Sequence, residues 1–217
     1  MKIKNMKYLF LLMMAVFALA SCSEDDTTTS EYDNWQQRNE QAFSDTLAYA
    51  KQQIAAGNTD WKVLLQWSLQ DQTPYISGTS LTYNNTDYIV VHELEKGEGV
   101  TSPMYTDSVQ VAYRGRLLPT TSYPEGYVFD KTFTGTYDKE TARVSEFAVS
   151  GLVDGFTTAL LSMHPGDHWM IYIPYQLGYG TTTSSSTSIP AYSMLRFEVV
   201  LKNYRHPDEK TYISRAN

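Results

Sequence analysis

The stretch that decides the fold opens with Leu152-Val153-Asp154-Gly155-Phe156 and runs through Leu161-Ser162-Met163-His164-Pro165-Gly166-Asp167 to Trp169, Ile171 and Ile173. It closes on Pro174-Tyr175-Gln176-Leu177-Gly178-Tyr179-Gly180. From Val153 to Met163, Phe156, Leu160 and Leu161 share one side of a helix, and Pro165-Gly166 ends it. From His168 to Ile173 the apolar period falls to two, the pattern of a half-buried strand. Met194 to Tyr204 repeats that period with Leu195, Phe197, Val199 and Leu201. Upstream, Tyr88–Leu94, Ser108–Leu117 (with Val109, Val111 and Tyr113 facing one way), Tyr127–Phe129 and Glu146–Val149 read as further strands. Many strands, one helix and no strand-helix-strand alternation predict an α+β fold, an antiparallel sheet wrapped around one short helix.

Farther out, Tyr32 to Ala56 favours helix: Trp35, Phe43, Leu47, Ala50 and Ile54 make one apolar face, and Gly57-Asn58 supplies a stop. One amphipathic helix cannot bury that face alone, so it must pack on a neighbour, on the following domain or on a second copy through residues 31–70. Residues 60–69 fit either a second short helix or an apolar edge. The division is thus a small helical N-terminal segment at 31–70, a Thr/Ser/Asn/Gly-rich linker at 71–86, a domain at 87–205 and a tail at 206–217.

At the N-terminus, Lys2, Lys4 and Lys7 precede an apolar run from Tyr8 to Ala20 that is too short for a comfortable bilayer span, so residues 1–21 read as a signal peptide. Leu19-Ala20-Ser21-Cys22 resembles the lipobox of bacterial lipoproteins, which makes Cys22 the lipidation site and implies a membrane partner through a lipid anchor. Residues 22–30 are acidic and Thr/Ser-rich, a flexible tether. The resulting expectation is a lipid-anchored cell-envelope protein of the outer membrane, facing the periplasm or the outside. Cys22 is the single cysteine, so an internal disulfide is excluded and a core must supply stability. Loss of residues 1–21 would remove three lysines and no acid, taking the formal net charge from −7 to −10. An acidic surface repels phosphate backbones and argues against nucleic acid.

The domain's motifs, taken in order, resemble the FKBP-type peptidyl-prolyl cis-trans isomerases. They are Leu94-Glu95-Lys96-Gly97-Glu98-Gly99, Val111-Ala112-Tyr113-Arg114-Gly115, Val128-Phe129-Asp130, Phe147 with Leu152-Val153-Asp154-Gly155-Phe156, Ile173-Pro174-Tyr175-Gln176-Leu177-Gly178-Tyr179-Gly180, and Ile189-Pro190 with Leu195-Arg196-Phe197-Glu198-Val199. The resemblance implies isomerisation of X-Pro bonds in proline-containing polypeptides, assisting the folding of exported proteins. It implies a catalytic group of Tyr113, Phe129, Asp130, Phe156, Tyr179 and Phe197, with Phe156 as pocket floor, Tyr179 as hydrogen-bond donor and Asp130 at the rim. Leu152, Val153, Ile189 and Phe147 would bind substrate, Val153 by its backbone N–H and Ile189 as an apolar wall. No cofactor and no metal are implied; His92, His164, His168 and His206 have no ligand spacing.

The pattern departs from the family where Phe156 replaces a tryptophan, where Ser145 replaces an aromatic residue, and in the Thr/Ser segment from Thr181 to Ser188. These changes imply weak binding of a macrolide ligand. The 118–126 loop is longer than the minimal pattern. The alternative is a non-catalytic peptide-binding or chaperone module, and a third function is a surface lipoprotein whose tyrosines bind glycans.

Overall fold

A computed structural model describes residues 30–74, 80–183 and 188–213. The signal peptide, Cys22 and nearly all of the tether therefore lie outside the described residues. Among those described, no helix is long and apolar enough to cross a membrane.

The longest strand organises the sheet. We number the elements α1 (Trp35–Ala55), β1 (Trp61–Leu65), β2 (Tyr88–Glu95), β3 (Ser108–Arg116), β4 (Val128–Lys131), β5 (Ser145–Ala148), α2 (Asp154–Leu160), β6 (His168–Ile173) and β7 (Leu195–Arg205). β7 pairs antiparallel with β6 on one side and with β3 on the other. The order is β1-β2-β6-β7-β3-β4, with β5 on the same edge of β3 as β4. Every pairing is antiparallel, as the missing strand-helix-strand alternation requires.

Period two sorts the side chains. Trp169, Ile171 and Ile173 of β6 and Leu195, Phe197, Val199 and Leu201 of β7 point into one core. α2 lies in that core, burying Phe156, Ala159 and Leu160. Burial of each large apolar side chain contributes about 1.5–3 kcal/mol. The helix lies close to β6 at Gly155, where a Cβ would be driven into the Ile173 side chain. Only glycine allows that approach.

The opposite face of the sheet is covered too. In β2, Ile89 and Val91 enter the main core while Val90 between them joins Phe43, Leu47, Ala50 and Met194 in a second cluster beneath α1. Three consecutive buried residues in one strand are the signature of a sheet packed on both faces. The apolar stripe of α1 is thus buried against its own chain, which removes the reason for expecting a homodimer through residues 31–70. The stripe also differs in membership. Ile54 is 41 % exposed, and the buried series is Trp35, Asn39, Phe43, Leu47 and Ala50.

Residues 60–69, open between helix and edge in the sequence, contain an edge strand: β1 pairs with β2 from Trp61↔His92 to Leu65↔Tyr88. The 31–70 segment is therefore not wholly helical, and Glu31–Asn217 forms one compact unit. The stretch named as a tail returns as well. Tyr204 and Ile213 exchange backbone hydrogen bonds, and Ile213 packs on the main core.

Candidate active site

Four aromatic rings converge where β3, β7, β5 and α2 meet. Tyr113 projects inward from β3 and lies edge-on to Phe147 at 5.7 Å and to Phe156 at 6.4 Å. Phe156 meets Phe197 at 4.9 Å and 79°. Such edge-to-face pairs place a positive ring edge against a negative face, which fixes the wall as well as drying it. Space for these rings is made at Gly115, where a Cβ would be driven into the rings of Phe129 and Phe197.

The rings enclose a cavity of about 200 Å³. Its lining comprises Tyr113, Phe156 and Phe197, with Phe147 on one side, Leu152 and Val153 at the entrance to α2, and Asp130 and Tyr179 at the rim. Eight of the ten residues singled out in the sequence thus come together. Phe129 and Ile189 do not line it. Phe129, half-buried, lies edge-on to Phe197 at 5.3 Å, and Ile189 is fully buried in the core. Both positions are apolar in the sequence, which cannot separate a residue that lines a pocket from one packed beside it. Gly151 also lines the cavity and was missed, because a glycine without a side chain carries no chemical signal.

The rim is where polarity is concentrated. The Tyr113 hydroxyl donates to Asp130 Oδ2 at 2.5 Å, and the backbone N–H of Lys131 donates to Asp130 Oδ1 at 2.8 Å. The carboxylate is held by both oxygens. Burial pushes the Tyr113 phenol far above the ordinary tyrosine range, and its bond to Asp130 and that residue's charge add to the effect. Burial, with the same charge, also raises Tyr179. Both phenols are therefore protonated donors at neutral pH.

Ser145, which stands where the family pattern has an aromatic residue, partly offsets the upward shift of Tyr113. At the start of α2, the Val153 carbonyl accepts from Phe156 and Thr157, while among the described residues no acceptor takes the Val153 N–H. Residues 184–187 of the Thr/Ser segment lie outside the described residues. The histidines serve the frame: His92 stacks on Trp61 at 4.4 Å, His168 reaches Glu198 at 3.1 Å and His206 reaches Asp107 at 2.9 Å.

The 118–126 loop, whose role the sequence left open, is pinned by Arg196 from β7. Its Nη2 donates to the carbonyls of Leu117 at 2.8 Å and Glu125 at 2.7 Å.

Comparison with known proteins places these features in a family context. Residues 99–202 match the model of the family described as FKBP-type peptidyl-prolyl cis-trans isomerase. The macrophage infectivity potentiator of Trypanosoma cruzi is 34 % identical over 113 residues, 52 % of this chain and 51 % of that protein. The FKBP-type 22 kDa peptidyl-prolyl cis-trans isomerase of Escherichia coli is 34 % identical over 124 residues, 57 % of this chain and 52 % of that protein. The chain spans about half the length of these curated relatives. A crystal structure of a peptidyl-prolyl cis-trans isomerase from Pseudomonas syringae pv. tomato superposes with a TM-score of 0.51 at 23 % identity. That match covers 79 % of this chain and 96 % of the other, and is a likeness of fold.

Proposed function

Since residues 99–202 match the model of the FKBP-type family, we propose that this chain is a peptidyl-prolyl cis-trans isomerase that assists the folding of exported polypeptides. The observation that carries the proposal is the division of the cavity into an aromatic interior and a polar rim. An X-Pro bond prefers trans by only about 0.5–1 kcal/mol, but amide resonance sets a rotation barrier of about 18–20 kcal/mol. The obstacle is kinetic, and it falls if the twisted amide is bound better than the planar one.

A twisted amide has lost its conjugation and part of its polarity. An apolar pocket formed by Tyr113, Phe156 and Phe197 strips water from the planar amide and favours the twisted one. At the rim, the Tyr179 hydroxyl and the Val153 N–H are donors suited to carbonyls flanking the proline, and Asp130, fixed by Tyr113, supplies a local negative charge. No bond is made or broken in the rotation, so neither nucleophile nor metal is called for. Each 1.4 kcal/mol of preference for the twisted state gives about a tenfold acceleration.

The test is a proline-peptide isomerisation assay on the whole chain, with Tyr113→Phe beside it. Acceleration that falls in the variant supports the proposal; a rate equal to the uncatalysed one with properly folded protein removes it.

The N-terminal residues support a lipid-anchored envelope protein, with Cys22 modified after removal of residues 1–21. Incorporation of labelled fatty acid in cells, abolished by Cys22→Ser, is the expected result. Unlabelled wild-type protein would rule out the anchor.

A further inference from the structure

We infer that Trp35 and Asn39 of α1 are positioning residues for Tyr179, reaching it through two hydrogen-bonded chain segments, Tyr175–Gly180 and Pro190–Met194; the inference deepens the isomerase proposal and rests on it. Asn39 occupies a place in the apolar stripe of α1 where a hydrophobic side chain would pack readily, yet it is 1 % exposed. Its amide is satisfied at both ends. Nδ2 donates to the Trp35 carbonyl at 2.6 Å, and Oδ1 accepts from the backbone N–H of Met194 at 2.8 Å. One turn earlier, Trp35 Nε1 donates to Ser193 Oγ at 2.8 Å, and that hydroxyl donates to the Pro190 carbonyl at 2.7 Å. A buried polar network whose members are all paired fixes one register of the elements it joins.

What it joins leads to the rim. Tyr192, next to Ser193, donates its N–H to the Gly180 carbonyl at 2.9 Å, and Gly180 donates to the Tyr175 carbonyl at 2.8 Å. The rings of Tyr175 and Tyr192 meet edge-on at 5.1 Å, and the Tyr175 hydroxyl donates to Glu40 Oε1 at 3.2 Å. α1 therefore holds both segments, at Tyr175 on one and at Ser193 and Met194 on the other. Tyr179 sits in the first segment beside Gly180, 37 % exposed and lining the cavity. The helix that precedes the domain in sequence thereby acts on the rim without touching substrate.

A helix that merely braced the sheet would predict the same stability loss and no specific link to Tyr179, so a double-mutant cycle separates the two. Asn39→Leu keeps the branched shape and leaves the Met194 N–H buried without its acceptor; Trp35→Phe keeps a ring and loses the donor. Each should lower kcat/KM by about tenfold, the rate equivalent of one net hydrogen bond. In a Tyr179→Phe background the same substitutions should change kcat/KM less than about twofold, because coupled sites are non-additive. Equal losses in both backgrounds, or no loss, overturn the inference. If Asn39→Leu does not fold, Trp35→Phe carries the comparison.

A second readout does not depend on turnover. In NMR spectra of the free protein, the Tyr179 ring resonances should shift or broaden in the folded variant while those of Phe156 stay in place. Unmoved Tyr179 resonances refute the positioning role even if the chain proves inactive, whereas moved resonances in an inactive wild type refute only the isomerase proposal.

Discussion

Tyr113 on β3 and Asp130 on β4 are joined by a 2.5 Å hydrogen bond that spans the edge of the cavity, and the two act as a unit. Tyr113→Phe removes the donor and frees the carboxylate to turn into solvent. A hydrogen bond to a charged group contributes about 1.5–3 kcal/mol, so kcat/KM should fall about tenfold or more. Tyr113→Phe with Asp130→Ala should lose little beyond either single variant, as read in the isomerisation assay.

The pH profile follows from the direction of the tyrosine shifts. Burial, aided by Asp130, raises both Tyr113 and Tyr179 above the ordinary phenol value of about 10. Neither phenol should ionise below about pH 10, so kcat/KM should show no alkaline limb between about pH 7 and 9.5. A limb there that disappears in Tyr179→Phe would contradict the assignment.

Gly115→Ala tests the packing of the pocket from behind. The new methyl would displace the rings of Phe129 and Phe197. Overpacking of this kind costs about 1–3 kcal/mol, or about 2–4 °C in Tm per kcal/mol for a chain of this size. Activity should fall further than the loss of stability accounts for, because Phe197 lines the cavity.

His206 gives a stability signature. Its hydrogen bond to the fully buried Asp107 raises its pKa above the ordinary histidine value, and the charge of Asp107 adds to this. The folded state thus holds the proton more tightly than the unfolded chain. This stabilisation is complete below the unfolded pKa of about 6.5 and disappears as pH rises through the folded value. Thermal melts of the wild type and His206→Gln should therefore differ most at about pH 5.5 and converge at alkaline pH.

Arg196→Met keeps the aliphatic stem and removes the donors to Leu117 and Glu125. The Glu125 carbonyl keeps a bond from Arg116 at 3.4 Å, and the loss at the part-buried Leu117 carbonyl costs about 1–3 kcal/mol. Amide exchange in residues 118–126 should quicken by about tenfold or more while the amides of β6 and β7 keep their protection.

The core strands and α2 were legible because period two and period 3.6 report how many faces of an element are buried. They do not report what lies on the buried face. The stripe of α1 was visible through Trp35, Phe43 and Leu47, but its resting place under Val90 and Met194 depends on contacts across the whole chain. Asn39 was not among the residues read into that stripe, because the burial of an amide becomes tolerable only once Met194 supplies the partner. Ile54 read as buried because the spacing of apolar residues along a helix does not show where the sheet beneath it ends. At the site, residues with polar tips such as Tyr113, Asp130 and Tyr179 were found readily. Phe129 and Ile189, absent from the cavity lining, were read into it, since an apolar residue looks the same in sequence whether it lines a pocket or packs beside it.

Trp35 and Ser193 meet across 158 positions of sequence. The helix made before any strand of the sheet therefore completes its berth only when Ser193 and Met194, just ahead of β7, have been made. The hydrogen bonds of Trp35 and Asn39 wait for those residues, and contacts of such long separation close slowly. A chain arranged in this way locks its first helix last, which suits the proposed export before work begins.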